Sequence, residues 1–149
     1  MKNHYIAEIE IVYIPKTLSN LRKITRSKDT YQYLKEIWSK HLCYKEEFYL
    51  ICLNRANKVL GYSVISVGGI AGCIVDVRII FQTALKANAS VIIIAHNHPS
   101  GNLQPSDQDI SLTKKILEAG LLMQIPLLDH IIITSEGYYS FADEGMIST

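Results

Sequence analysis

Residues Ile92–Ile110 read IIIAHNHPSGNLQPSDQDI. The apolar run Val91–Ala95 ends at His96-Asn97-His98, and ten residues rich in Pro, Gly, Ser, Asn and Gln follow before Asp109. Side chains two apart in an extended segment point to the same side, so His96 and His98 can aim at one point. Pro99-Ser100-Gly101 turns the chain. After Pro105 a helical pattern begins, with Ile110, Leu117 and Leu121 on one face and Ile116 beside them. Asp109 falls in the first turn of that helix, and its carboxylate can reach back toward the strand end. Two imidazoles and a carboxylate leave a fourth tetrahedral position open, which is the layout of a catalytic zinc site, with one Zn2+ per chain.

Each residue of this cluster also has a purely structural reading. An HxH pair can be two loop histidines bonded to backbone. Ser106 and Asp109 have the Ser-x-x-acid spacing of a capping box, with Ser106 as N-cap and Asp109 at N3. The helix needs that cap with or without a metal.

The string His96-x-His98, seven residues, then Ser106-x-x-Asp109 resembles the motif of the JAMM (MPN+) metalloproteases. The longer string HNHPSGNLQPSDQDI, with LTKKILEAG and LLDHIIIT after it, resembles the bacterial RadC family, which carries a DNA-repair label. The resemblance spans Glu46 to Glu144, about two thirds of the chain. It implies a cytidine-deaminase-like fold (JAB/MPN domain) with the metal at the end of a central strand. It also implies a zinc-dependent hydrolase acting on a peptide or isopeptide bond. In this pattern an upstream glutamate at a strand start is the general base, and Glu46-Glu47-Phe48 supplies it. The register selects Glu46, with Glu47 as the alternative. Ser106 would donate a hydrogen bond to the developing oxyanion. The sequence departs from the family in two places. RadC-like chains have an N-terminal helix-hairpin-helix region that residues 1–45 do not match, and Val77-Arg78 stands where a Pro-Arg pair is usual.

The remainder bounds these expectations. At 149 residues and 48% apolar composition the chain is expected to form one domain, 1–149, with its metal-site core in 46–149. Residues 1–14 alternate and lack a signal-peptide apolar core, and no run reaches the length of a membrane span. The expectation is a cytoplasmic protein with no membrane partner. Cys43, Cys52 and Cys73 show no CxxC spacing, so neither a disulfide nor a thiolate metal site is expected. The net charge is +1, but Pro15–Lys45 holds eight Lys or Arg against Asp29 and Glu36. That basic arm offers a route to nucleic acid, giving the competing expectation of a DNA-associated accessory protein with a structural or vestigial metal. A solvated helix face explains the same charges. The letters HNH do not indicate a ββα-metal nuclease, whose residues spread over a longer motif. A nucleoside deaminase would need H-x-E with PCxxC, which is absent.

Read in order, Tyr5–Ile14 is an expected strand, and Ser27 or Asp29 caps a helix with Tyr31, Leu34, Ile37 and Trp38 on one side. Glu46–Leu53 and Lys58–Val67 form an expected antiparallel hairpin across Asn54–Asn57. Ile70–Val75 is ambiguous, and Asp76 caps a helix over Val77–Ala89 with Ile80, Phe81, Ala84 and Leu85 facing the core. Asp107–Met123 is the next helix, Pro126–Thr134 a strand holding the polar pair Asp129-His130, and Tyr138–Phe141 a last short strand. Such a pair needs buried partners: His130 can serve the metal site or be a bonded structural histidine. The order β-α-β-β-α-β-α-β-β predicts a three-layer α/β/α sandwich around a mixed sheet.

Overall fold

The computed structural model describes residues 10, 12, 14–17, 19–70 and 72–148. Its elements, in chain order, are α1 (Ser27–Ile37), β1 (Glu47–Leu53), β2 (Val59–Val67), α2 (Val77–Lys86), β3 (Val91–Asn97), α3 (Asp107–Met123), β4 (Leu127–Ile133) and β5 (Tyr138–Ser140). The strands form one sheet in the order β2-β1-β3-β4-β5. β3 and β4 run parallel, joined by α3, and every other neighbouring pair is antiparallel. This is the expected mixed sheet between helices. The strand expected over Tyr5–Ile14 lies outside the described residues, apart from Glu10, Val12 and Ile14, which are in no regular element. Among the described residues no helix is long and apolar enough to cross a membrane.

Strand alternation builds two cores. Phe48, Leu50, Cys52, Ile92, Ile94 and Ile132 face α2 and α3, where they meet Ile80, Phe81, Ala84 and Ile116. Ile51, Leu53, Ile93, Ala95, Ile131 and Ile133 face the other way, onto Leu34 of α1. Covering both faces explains why β1 and β3 read as nearly unbroken apolar runs. Each fully buried Ile or Leu contributes about 1.5–3 kcal/mol relative to exposure. The middle of the sheet is therefore deeply buried, and β3 occupies it.

The structure revises several local expectations. The N-cap of α1 is Arg26, not Ser27 or Asp29. Asp29 acts from the first turn instead, accepting from the Thr25 hydroxyl (2.6 Å) and from the Thr25 and Arg26 N–H groups. Asp76 does cap α2, accepting from the Arg78 N–H at 2.9 Å, but the helix stops at Lys86 rather than Ala89. Leu85 is 51% exposed and Leu121 73% exposed, so neither faces the core. On α3 the buried line runs through Thr113, Ile116 and Gly120. A threonine and a glycine on that line hide it from an apolar count. Gly120 is there because of close approach: a Cβ would stand 2.6 Å from the Ile125 carbonyl oxygen. The described residues of Ile70–Val75 join no strand.

The polar pair in β4 finds partners on both sides of the sheet. Asp129 accepts from the Ser140 hydroxyl (2.6 Å), the Ala142 N–H (3.0 Å) and the His130 N–H (2.7 Å). Burial still dominates and pushes its carboxyl up to about 6. The folded state thus binds the Asp129 proton more tightly than the unfolded chain, and this stabilisation is complete below the unfolded value near 3.8. It is lost as pH rises through about 6. Urea unfolding of the protein and of Asp129→Asn at pH 4 to 7 should show a downward step in stability that only the carboxylate-bearing chain has.

Candidate metal centre

His96 is the last residue but one of β3 and points to the α2/α3 side, in register with Ile92 and Ile94. It is 1% exposed, pairs across the sheet with Phe48, and stacks on that ring. His98 lies just past the strand, held by its N–H on the Ile133 carbonyl (3.2 Å). A turn follows in which the Gly101 N–H donates to the His98 carbonyl and Gly101 takes φ +83°, a left-handed value that suits glycine. The turn returns the chain to α3, whose N-cap is Ser106.

These elements bring His96, His98 and Asp109 together. His96 Nε2 lies 3.0 Å from His98 Nε2 and 3.1 Å from Asp109 Oδ1, and His98 Nε2 lies 3.4 Å from Asp109 Oδ2. Ligand atoms about 2.0–2.1 Å from a tetrahedral ion sit roughly 3.3 Å apart, so the spacing suits one. The tautomer of His98 suits it too. His98 Nδ1 stands 2.6 Å from the Asn102 carbonyl oxygen, which can only accept. The His98 proton is therefore on Nδ1, and the Nε2 lone pair faces Asp109 and His96. Burial alone would raise the Asp109 carboxyl, but the favourable contacts that protonated His96 and His98 would make with it, together with the Ser106 N–H, outweigh burial and hold it well below the usual carboxylate range. The Asp109 partner raises His98 above its ordinary value. The donor set is that of a divalent-ion site.

Capping and ligation coexist in one turn. Ser106 Oγ accepts the Asp109 N–H (3.1 Å), and Asp109 Oδ2 accepts the Ser106 N–H (2.7 Å), closing the expected capping box. A carboxylate has lone pairs enough for a helix N–H and an ion. The Ser106 hydroxyl uses a lone pair for the cap and keeps its proton to donate.

A cleft of about 220 Å³ opens over the group, lined by Glu46, Cys73, Ser106 and Gln108 as well as the three ligand candidates. Glu46 precedes β1 and has the parity of Phe48, so it faces the cleft, where Cys73 Sγ–H meets its Oε1 at 3.9 Å. Glu47 points to the other side and is buried, accepting from the Ser39 hydroxyl at 2.6 Å. Of the two glutamates, Glu46 lines the cleft and Glu47 does not. Cys73 remains a thiol, since burial pushes it up to about 11.

A family model described as RadC-like JAB domain matches residues 24–146. The chain belongs to the RadC family. A UPF0758 protein of Flavobacterium johnsoniae is 48% identical over 126 residues, covering 85% of this chain and 54% of the relative. One from Porphyromonas gingivalis is 44% identical over 104 residues (69% and 46%), and one from Methanosarcina barkeri 39% over 126 (85% and 54%). The chain spans about half the length of these curated relatives.

Two contributors to the geometry of this RadC site, Asn97 and Thr113, escape a reading of the sequence, and His130, open there between serving the metal site and being a bonded structural histidine, lies beside His96. Asn97, between the histidines, faces the opposite layer: its Oδ1 accepts the Glu47 N–H (2.7 Å), and its Nδ2 donates to the Leu42 and Lys45 carbonyls (2.7 and 2.9 Å). It fixes the entry to β1 and with it Glu46. His130 is completely buried, and its Nε2 lies 2.8 Å from His96 Nδ1. Thr113 contacts His130 in turn. A polar pair inside an apolar strand is the signal for His130, and a threonine one turn after Asp109 the signal for Thr113.

Because the cap and the ligand share a turn, Ser106→Ala should lower stability by about 1 kcal/mol through loss of the cap. Denaturant unfolding of the two proteins without metal measures this directly, and equal midpoints would mean the cap contributes nothing.

Proposed function

We propose that this chain is a zinc-dependent hydrolase of the JAMM type that cleaves a peptide or isopeptide bond. The observation that carries the reading is the convergence of two imidazole Nε2 atoms and the Asp109 carboxylate within 3.0–3.4 Å, at the floor of a cleft that also holds Glu46. Membership in the RadC family and the JAMM-like spacing support it. His96, His98 and Asp109 would hold the ion. Bound zinc supplies Lewis acidity, lowering the pKa of water to about 7 and polarising a carbonyl.

The protein's own groups do the rest. Glu46 takes a proton from the attacking water as its oxygen bonds to the carbonyl carbon. It returns that proton to the amine as the carbon–nitrogen bond breaks. The Ser106 hydroxyl, at the start of α3, donates to the oxyanion; removing such a donor costs about 2.7–4 kcal/mol. The Asn102 carbonyl keeps His98 in the ligating tautomer. The substrate in this reading is a peptide or protein reaching the cleft, and the setting is the cytoplasm.

The competing reading, a DNA-associated protein using basic residues 15–45, gains no particular support from the described residues. Arg22 pairs with Glu36 at 2.8 Å and Arg26 with Asp29 at 3.5 Å, so part of that charge is already matched.

Metal analysis after purification without added metal should find about one zinc per chain, lost in the double variant His96→Ala/His98→Ala. Glu46→Gln should keep its zinc and lose at least about 100-fold in hydrolysis of peptide or isopeptide substrates. A zinc-free wild type that cannot be loaded overturns the hydrolase reading, and full activity in Glu46→Gln overturns the role of that residue.

A further inference from the structure

Behind His96 runs a set of bonds that no part of the proposed reaction uses. His96 Nδ1 is 2.8 Å from His130 Nε2, His130 Nδ1 is 2.7 Å from Thr113 Oγ1, and the Thr113 hydroxyl is 2.7 Å from the Asp109 carbonyl oxygen. All these groups are buried or partly buried, and His130 is fully enclosed, with the Phe141 ring stacked on it at 4.5 Å.

Proton directions follow from the far end. The Asp109 carbonyl can only accept, so the single Thr113 hydroxyl proton goes to it. Thr113 Oγ1 must then accept from His130, which places the His130 proton on Nδ1. His130 Nε2 is left as a lone pair and accepts from His96 Nδ1–H. His96 Nε2 is in turn a lone pair, directed at Asp109 Oδ1 (3.1 Å) and His98 Nε2 (3.0 Å). The bonds start at the Asp109 backbone and leave the His96 Nε2 lone pair facing the carboxylate of the same residue, where a cation or a proton would join the two.

We propose that His130 and Thr113 are positioning residues for the metal centre: through this circuit the first turn of α3 selects the ligating tautomer of His96 and locks His96 and Asp109 into one unit. The inference rests on the metal-binding reading above, and extends it to two residues that touch neither ion nor substrate. Hydrogen bonding at the far nitrogen of a ligating histidine fixes its tautomer and orientation, and loss of such a partner typically weakens metal binding about 10- to 100-fold. The expectation for His96 is stronger than for His98. His98 bonds a loop carbonyl next to it, whereas the His96 bond is reached through β4 and α3.

Zinc affinity measured by competition with a chromogenic chelator tests this without any substrate. Thr113→Val, which keeps shape and removes the hydroxyl, should bind zinc about 10-fold more weakly or worse. Thr113→Ser should restore most of that loss. His130→Phe, which keeps a ring against Phe141 and removes both nitrogens, should lose at least as much. Since the His130 variant risks misfolding, a second readout uses the wild type alone. Two-bond 15N–1H spectra of the zinc-loaded protein should show neutral His130 protonated on Nδ1, and His96 protonated on Nδ1 with the ion on Nε2. Unchanged affinity in Thr113→Val, or a His130 protonated on Nε2, overturns the circuit while leaving the metal site standing. A wild type that binds no zinc overturns both.

Discussion

Two imidazole lone pairs and a carboxylate repel one another when held about 3 Å apart, and only a proton or a cation between them relieves it. The structure holds His96, His98 and Asp109 in that arrangement. Something rigid must supply the force, and it is the centre of the sheet. β3 has strands on both sides and helices on both faces, so the position of His96 is set by the most buried part of the molecule. Asp109 comes from the first turn of α3, where the helix's positive end favours a carboxylate. Its capping bonds to Ser106 hold it there independently of any ion.

The layers divide the labour. Side chains on the α2/α3 side of β3 carry the donors, and Phe48, Phe141 and Ile116 of the same core wall them in. On the α1 side the polar exceptions include Glu47, Asn97 and Asp129, whose bonds go to Ser39, to backbone and to Ser140. Strand alternation thus puts His96 on one face of β3 and Asn97 on the other.

Much of this was legible in the sequence because it is local. The run Val91–Ala95, the turn at Pro99-Ser100-Gly101 and the spacing to Asp109 place three candidate ligands within one strand, one turn and one helix start. The hairpin of β1 and β2 and the cap at Asp76 are equally local. What was not legible depends on meetings across the fold. The His96–His130 contact joins residues 34 apart, and the Asn97–Glu47 contact residues 50 apart. Leu85 and Leu121 misled because helical periodicity marks an apolar stripe but not where the neighbouring sheet ends. The true stripe of α3 passes through Thr113 and Gly120, one bonded to His130 and the other pressed on the Ile125 carbonyl, and neither registers as apolar.

Asn97 carries a consequence of its own. It ties the loop before β1 to β3, with three bonds that involve none of the ligands. The half of the cleft proposed to hold the ion and the half proposed to move the proton are therefore anchored differently: one by β3, β4 and α3, the other by the backbone bonds of Glu46 with Gly68 and Gly69 and by the Asn97 amide on the far side of the sheet. In lineages that drift, the two halves can part company. Under the proposed function, a chain can retain every candidate ligand and still lose the position of Glu46 through a change at this buried amide, and a survey of ligand motifs alone would count it as intact.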